Sequence, residues 1–235
     1  SDCCSFLYGS LIPAAAFASG ANGSFYRTDL DLSNADSVAV EYRLWWMPRG
    51  EDNREPMRSA TFSLGAGMSV RYANVLSEVF GLEQGALGAL AFESSSPHLL
   101  AMSRTFNTFE PGAAGTYGQS MPAVGPDEMI HEDERRRILF GTEDTDMRTN
   151  VGCVSASSET IVVVVELFDS EGTPLATENM ILIAWSNDQF NRIFEDFQPV
   201  TGYVDVWTPS NDGTFFCYGS VLDNVTNDPT TVLPQ

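Results

Sequence analysis

The stretch Phe25-Tyr26-Arg27-Thr28-Asp29-Leu30-Asp31-Leu32 is matched later in the chain by Asp146-Met147-Arg148-Thr149-Asn150-Val151-Gly152-Cys153. In each copy, Arg-Thr is followed by Asp or Asn and then by a partly alternating series of apolar residues. Such alternation is typical of a half-buried β-strand. Because the segments that follow each copy also match in order, the pattern indicates an internal duplication.

The later segments of the two copies resemble each other in residue type and in order. The matched pairs are 38–45 with 161–168, 68–80 with 185–197, 88–92 with 202–206, and 100–107 with 216–223. The second pair has the apolar spacing of one helix face, and the other pairs are rich in β-branched and aromatic residues. We therefore predict an all-β chain of two tandem Ig-like β-sandwich domains of the Greek-key type, each with one short helix.

The domain boundaries follow from prolines and from a charged segment between the copies. Residues 1–12 are predicted to be a strand-like N-terminal extension that ends at Pro13. Residues 13–124 form the first β-sandwich domain, and residues 138–235 form the second. The segment between them, 125–137, is a charged linker whose acidic and basic blocks are compatible with one helical turn.

The composition limits the partners of the chain. All 12 basic residues are arginine, and they are outnumbered by 32 acidic residues, which gives a net charge of −20. Such a chain is repelled by nucleic acid and by anionic membrane surfaces, so neither is expected as a partner. No run of 18 apolar residues is present, so membrane insertion is not expected. A start without Met fits a secreted chain after removal of a signal peptide, and it fits a trimmed chain equally well.

The four cysteines predict disulfide bonds in an oxidising compartment, extracellular or at the cell surface. Cys3 and Cys4 are adjacent, whereas Cys153 and Cys217 lie at interior positions of two strands in the second copy. Two pairings are open. In one, Cys153 bonds Cys217 across the core and Cys3 or Cys4 bonds another chain. In the other, Cys3 and Cys4 pair with Cys153 and Cys217 of the same chain or the next.

No motif in the chain predicts catalysis, a cofactor or a metal site. His98 and His131 are isolated from other ligand residues, and no HExxH, nucleophile elbow, P-loop or dinucleotide fingerprint is present. We therefore expect no enzyme activity. Asn22-Gly23-Ser24 and Asn224-Val225-Thr226 are possible glycosylation triplets, which are compatible with secretion.

Arg27 and Asp29 recur as Arg148 and Asn150. A residue pair that is present in both copies is more readily explained by a role in stabilising the fold than by ligand binding. We therefore predict that these residues have a structural role at the domain edge. A calcium site near the acidic residues is the alternative. Aromatic residues could form a sugar-stacking platform, although core or subunit packing is the favoured interpretation. These residues are Trp45, Trp46, Trp185, Trp207, Tyr26 and Tyr203.

Three segments and Leu82 carry a resemblance to a known group of proteins; the segments are residues 25–30, Ser103-Arg104-Thr105, and Thr116-Tyr117-Gly118-Gln119. Together they resemble tandem β-sandwich modules of secreted, largely uncharacterised bacterial surface proteins. The resemblance covers most of the chain and implies the fold and the extracellular location, but it supplies no activity and no catalytic residues. The Cys-Cys pair near the start and the acidic linker depart from the pattern.

These observations together predict an extracellular structural subunit that self-associates into a filament, an appendage or a surface layer. Donation of the N-terminal extension to a neighbouring sheet edge would join the copies, with Phe6, Leu7, Tyr8 and Leu11 in contact. The alternative is an adhesive module that binds carbohydrate or another surface, for which surface glycans would be the partner. An exposed row of aromatic side chains on one sheet face would favour that alternative.

Overall fold

A computed structural model describes residues 8–108 and 115–235 of the chain. Within these residues the strands are β1 (Tyr8–Ser19), β2 (Phe25–Asn34), β3 (Val40–Pro48), β4 (Met57–Arg58), β5 (Phe62–Leu64), β6 (Ser69–Tyr72), β7 (Ala86–Ser94), β8 (Leu99–Asn107), β9 (Tyr117–Pro122), β10 (Ile130–His131), β11 (Arg136–Glu143), β12 (Met147–Ser155), β13 (Ile161–Asp169), β14 (Pro174–Leu182), β15 (Asn187–Phe190), β16 (Val200–Trp207), β17 (Thr214–Asp223) and β18 (Pro229–Val232). The helical elements are α1 (Val75–Glu78) and the 3-10 turns Ala21–Gly23, Pro126–Glu128 and Glu195–Phe197. The all-β prediction is confirmed.

The described residues divide into two units. Unit 1 comprises residues 8–48, 55–108, 115–116 and 120–128, and unit 2 comprises residues 49–54, 117–119 and 129–235. The division at residues 128 and 129 falls inside the segment predicted to be a linker. Within that segment one 3-10 turn, Pro126–Glu128, is followed by the two-residue strand β10, and β11 begins at Arg136.

In unit 1 the strands follow the order β4-β3-β7-β1-β2-β8-β9, with β5 beside β3 and β6 beside β2. Strand β1 joins the two halves, since it pairs with β7 over most of its length and with β2 at residues 17–19. Inward side chains of both halves share one core. Its fully buried members include Ile12, Leu30, Tyr42, Leu44 and Leu90.

Strand β1 corrects the predicted N-terminal extension. It runs from Tyr8 through Pro13 to Ser19, rather than ending at Pro13. The register on β7 shifts between Ile12 and Ala15, so the proline, which has no N–H to donate, lies at an irregularity of the ladder. On this strand Leu11 is 6% exposed and Tyr8 is 43% exposed. Phe6 and Leu7, the other predicted assembly residues, lie outside the described residues.

Unit 2 consists of two antiparallel sheets that share a core. One sheet has the order β10-β17-β12-β15 with β18 beside β17, and the other has the order β11-β16-β13-β14. Buried residues from both sheets contact one another, as expected for a β-sandwich. The largest of these include Phe194, Phe215, Ile130 and Ile138.

The two units share a pattern of strand neighbours. Strand β2 lies between β6 and β8, and β12 lies between β15 and β17; likewise β7 lies between β1 and β3, and β16 lies between β11 and β13. A glycine stands at the same place in each unit, where two strands approach closely. A Cβ atom at Gly88 would clash with the Met47 carbonyl oxygen, and one at Gly202 would clash with that of Phe168. Both positions therefore exclude any side chain.

The predicted helices are shorter than expected. In the first copy, α1 has four residues, and Tyr72 belongs to β6 rather than to the helix. The chain turns after the helix at Gly81, which has a φ of 65° and donates its N–H to the Ser77 carbonyl. In the second copy no α-helix forms, and the 3-10 turn Glu195–Phe197 takes its place. The apolar residues that predicted a helix in 185–197 belong partly to strand β15 and partly to this turn.

Candidate functional site

The disulfide of unit 2 settles the pairing that the sequence left open. Cys153 of β12 lies directly opposite Cys217 of β17, and the two residues are bonded to each other. Both are buried in the core, with at most 1% exposed surface. The alternative in which they bond Cys3 and Cys4 is therefore wrong for this structure. Cys3 and Cys4 themselves lie outside the described residues.

Asp29 and Asn150 make the same hydrogen bond in their respective units. The Asp29 Oδ1 atom accepts from the backbone N–H of Asn74, and the Asn150 Oδ1 atom accepts from that of Arg192, each at 2.9 Å. Asn74 and Arg192 both have a left-handed φ of 50°, just after strands β6 and β15. Each side chain thus satisfies a backbone donor where the chain leaves the sheet.

Arg27 and Arg148 have different surroundings. Arg27 is exposed, and its Cζ atom lies 5.2 Å from the centre of the Phe106 ring, a cation–π arrangement. Arg148 is only 8% exposed and donates to the Oδ1 atoms of Asn224 at 2.7 Å and Asn227 at 2.8 Å. The buried guanidinium is therefore solvated by amide oxygens.

The acidic residues near the start of unit 2 do not converge on one point. Glu143 is fully buried, and its carboxylate accepts from the Arg192 Nε–H at 2.8 Å. The Asp144 Oδ1 atom instead accepts from the backbone N–H groups of Asp146 and Met147, both at 2.7 Å. Among residues 8–108 and 115–235, no group of three or more His, Cys, Asp or Glu side chains is placed to hold a metal ion.

The two glycosylation triplets lie in turns. Asn22 is in the 3-10 turn Ala21–Gly23. The Asn224 side-chain amide donates to the carbonyl oxygens of Asp144 at 3.3 Å and Thr145 at 3.2 Å, while its oxygen accepts from Arg148. Because a glycan is attached to that amide nitrogen, the folded chain leaves Asn224 poorly placed for modification.

The predicted aromatic residues do not form a single platform. Trp46 is 4% exposed and belongs to the core of unit 1. Trp45 points to the opposite face of β3, where the Arg58 Cζ atom lies 4.8 Å from its ring centre. Trp185 is in a turn, with a left-handed φ of 55°, and Tyr26 is a partly exposed residue of β2.

Tyr203 and Trp207 do share a sheet face in unit 2. Along β16 they alternate with inward residues, and Phe168 on the neighbouring strand β13 lies directly opposite Tyr203. The two rings stack with centres 5.0 Å apart and an interplanar angle of 14°. We call this outer surface the aromatic face, defined by Phe168, Tyr203 and Trp207. The role of Phe168 was not predictable from the sequence, because local alternation does not show which residue lies opposite it on the neighbouring strand.

Arginines line the aromatic face and neutralise two adjacent carboxylates. The Arg137 guanidinium lies 3.7 Å from the centre of the Tyr203 ring and donates two hydrogen bonds to Asp205, at 2.7 and 2.9 Å. Arg135 lies over Trp207 and donates to Glu166. Since Glu166 and Asp205 are directly opposite across β13 and β16, the two guanidinium groups offset their mutual repulsion. The hydrogen bonds to Asp205 raise the pKa of Arg137.

The same sheet has an open edge at β14. This strand pairs with β13 on one side, and within the described part of the chain no strand pairs with it on the other. Its side chains at Thr177, Glu178, Asn179 and Ile181 are exposed, with Ile181 at 67%. The aromatic face and this open edge together are the candidate functional surface of unit 2.

Comparisons with known proteins add little to this description. The chain matches no family model and no curated protein. It is similar to the solved structure of Bacteroides uniformis β-glucuronidase 2, with 12% identity over 97% of this chain and 26% of that chain, at a TM-score of 0.19. A glycosyl hydrolase family 2 member from Bacteroides cellulosilyticus matches at 7% identity over 94% and 27%, also at 0.19.

The chain thus spans about a quarter of the length of the solved structures that it matches. Such weak similarity carries no argument about function.

Among the described residues, no helix is both long and apolar enough to cross a membrane.

Proposed function

We propose that the protein is an extracellular structural subunit that self-associates into a filament, an appendage or a surface layer. The observation that carries this proposal is the bond between Cys153 and Cys217. It uses two of the four cysteines, so within residues 1–235 Cys3 and Cys4 can pair only with each other. A bond between adjacent cysteines is strained, which favours a bond from Cys3 or Cys4 to a second copy. Disulfides persist in oxidising compartments, in keeping with an extracellular location.

The proposal includes two tandem Ig-like modules derived by duplication. Its support is the shared pattern of strand neighbours and the shared hydrogen bond of Asp29 and Asn150. The paired residues Cys153 and Cys217 stand where unit 1 pairs Leu32 with Ala101. A chain built from two similar modules has the repetitive form common among structural subunits, and the sequence resemblance to bacterial surface modules agrees with it.

The test compares the unreduced protein with the double variant Cys3→Ser/Cys4→Ser. We expect multimers that disappear on reduction, seen by non-reducing electrophoresis, and regular assemblies, seen by negative-stain electron microscopy. The double variant should lose the covalent multimers but retain the Cys153–Cys217 bond, which peptide mass mapping can verify. A wild-type protein that remains monomeric, with Cys3 and Cys4 free or bonded to each other, would contradict the proposal.

A deletion test must respect the position of β1. Removing residues 1–12 would take Tyr8–Ile12 out of the ladder with β7, and it would destabilise unit 1 whatever the role of the segment. Removing residues 1–7 leaves β1 intact. We therefore expect the shorter deletion to abolish assembly without unfolding the chain, as monitored by circular dichroism.

A second candidate function is adhesion to a carbohydrate, and the aromatic face is the observation that favours it. Tyr203 and Trp207 are partly exposed on one sheet face, and the guanidinium groups of Arg137 and Arg135 lie over their rings as hydrogen-bond donors. Retention of the protein on immobilised glycans, lost in Trp207→Ala but kept in Trp45→Ala, would support this function. Equal retention of both variants would count against it.

A further inference from the structure

Within residues 8–108 and 115–235, the open edge of β14 carries few of the protections that natural edge strands have. Such edges are blocked by short length, bulges, prolines, lysines or a covering segment. Strand β14 has nine residues, and its register on β13 is regular from Leu182 to Ala176. Its only proline is the first residue, Pro174, and its only charged side chain is Glu178.

The equivalent edge of unit 1, beside β3, has a different structure. There β3 is flanked by β4, of two residues, and β5, of three residues, which are separate short strands. Short edge strands offer too few backbone groups to template a new strand. Within the described residues, this equivalent edge is therefore long and open in unit 2 and is formed by short strands in unit 1. Alternate residues of β14 present both N–H and C=O groups to an incoming strand.

A second copy of β14 is a poor occupant for this edge. Antiparallel pairing about a two-fold axis at the middle of Pro174–Leu182 places Glu178 opposite itself. Like charges directly opposite each other destabilise a pair of strands, and the chain already carries a net charge of −20. The occupant that fits is a different segment.

The segment that fits is residues 1–7, Ser-Asp-Cys-Cys-Ser-Phe-Leu, which directly precedes β1. It contains neither proline nor glycine, and its seven residues match the length of Leu175–Ile181, about 23 Å when extended. We propose that residues 1–7 of one copy add to β14 of a second copy as an antiparallel or parallel fifth strand. This inference rests on the proposed self-association and assigns its acceptor site.

Disulfide trapping tests the proposed contact. A cysteine is introduced on β14 as Thr177→Cys or, for the other sheet face, Glu178→Cys; both positions are exposed. The matched control is Ser63→Cys, an exposed residue of the short edge strand β5. We expect at least one β14 variant to form several-fold more of the reducible dimer than the control. Mass mapping should join the new cysteine to Cys3 or Cys4 of an isotopically distinct copy.

Equal trapping in the β5 control, or a bond formed within a single isotopic chain, would overturn the inference. A second measurement avoids engineered cysteines. The probe is a labelled peptide of residues 1–7 in which both cysteines are replaced by serine, and it should bind the protein that lacks residues 1–7. The Glu178→Pro substitution in that protein should weaken the binding at least tenfold. Unchanged binding would overturn the inference. Light scattering of the wild-type protein distinguishes failure of this inference from failure of the proposed function. If the protein assembles but β14 is not trapped, only the proposed acceptor site is wrong. If the protein does not assemble, the proposed function is wrong.

Discussion

Removing the bond between Cys153 and Cys217 should destabilise unit 2 by about 4 kcal/mol. The bond closes a loop with a sequence separation of 64 residues. In the chain-entropy description, a loop of that length restricts the unfolded state by roughly 14 cal/mol/K, or about 4.3 kcal/mol at 25 °C. The perturbation we prefer is Cys153→Leu with Cys217→Ala. These are the residues that unit 1 pairs at the equivalent position, Leu32 and Ala101, so the core remains apolar.

The assay is urea unfolding followed by tryptophan fluorescence, with Trp207 reporting on unit 2 and Trp46 on unit 1. With a slope of about 2 kcal/mol per M, a loss of about 4 kcal/mol lowers the midpoint by roughly 2 M. Replacing the other tryptophans by phenylalanine assigns each transition. The midpoint reported by Trp207 should fall, and the slope should stay nearly constant if the substituted core packs well.

The converse substitution is the matched control. Leu32→Cys with Ala101→Cys places cysteines at directly paired positions of β2 and β8, and it closes a loop of similar length in unit 1. It should raise the midpoint reported by Trp46 by a comparable amount in the oxidised protein. A loss below about 1 kcal/mol for the unit 2 substitution would refute the loop-entropy reasoning.

Three further predictions concern unit 2. Arg137→Ala should cost about 2 kcal/mol, because hydrogen bonds between charged groups contribute about 1.5–3 kcal/mol and the Asp205 side chain is only 6% exposed. In the Asp205→Asn background, Arg137→Ala should lower the free energy of unfolding by much less. If the two substitutions had additive effects in this double-mutant cycle, Arg137 and Asp205 would not interact directly. Asn150→Ala should cost about 1 kcal/mol by leaving the Arg192 N–H without its acceptor, whereas Asn150→Asp, the residue type of the first copy, should be nearly neutral at neutral pH. Expressed in a glycosylating secretory host, the protein should show no glycan at Asn224 by peptide mapping, since its amide nitrogen is already hydrogen-bonded; substantial occupancy would show that modification precedes folding of that turn.

Several strands were predictable because their residues show a local apolar pattern. Apolar residues alternate along β2 and form a continuous run in β13, so the side-chain period alone located both strands to within a few residues. The helices were less predictable. The spacing around Tyr72 resembles a helix face, but Tyr72 pairs with Leu30 in the sheet, and the turn begins only after the left-handed Asn74.

The boundary at Pro13 failed for a related reason. Proline forbids one hydrogen bond, but it does not forbid a strand when the ladder shifts register around it, as β1 does. Whether that shift is possible depends on β7, which lies far along the chain. A local rule could not supply this information.

The amino-acid sequence by itself determined the all-β class, the acidic charge and the recurrence of Arg27-Thr28-Asp29 as Arg148-Thr149-Asn150. Only the tertiary structure decided that Cys153 bonds Cys217, that Phe168 stacks on Tyr203 and that β14 is left with an open edge. The physical reason is that the apolar periodicity of a strand depends only on residues that are close together in the sequence. The partner of a side chain or of a strand edge, in contrast, depends on which distant strand the fold brings beside it.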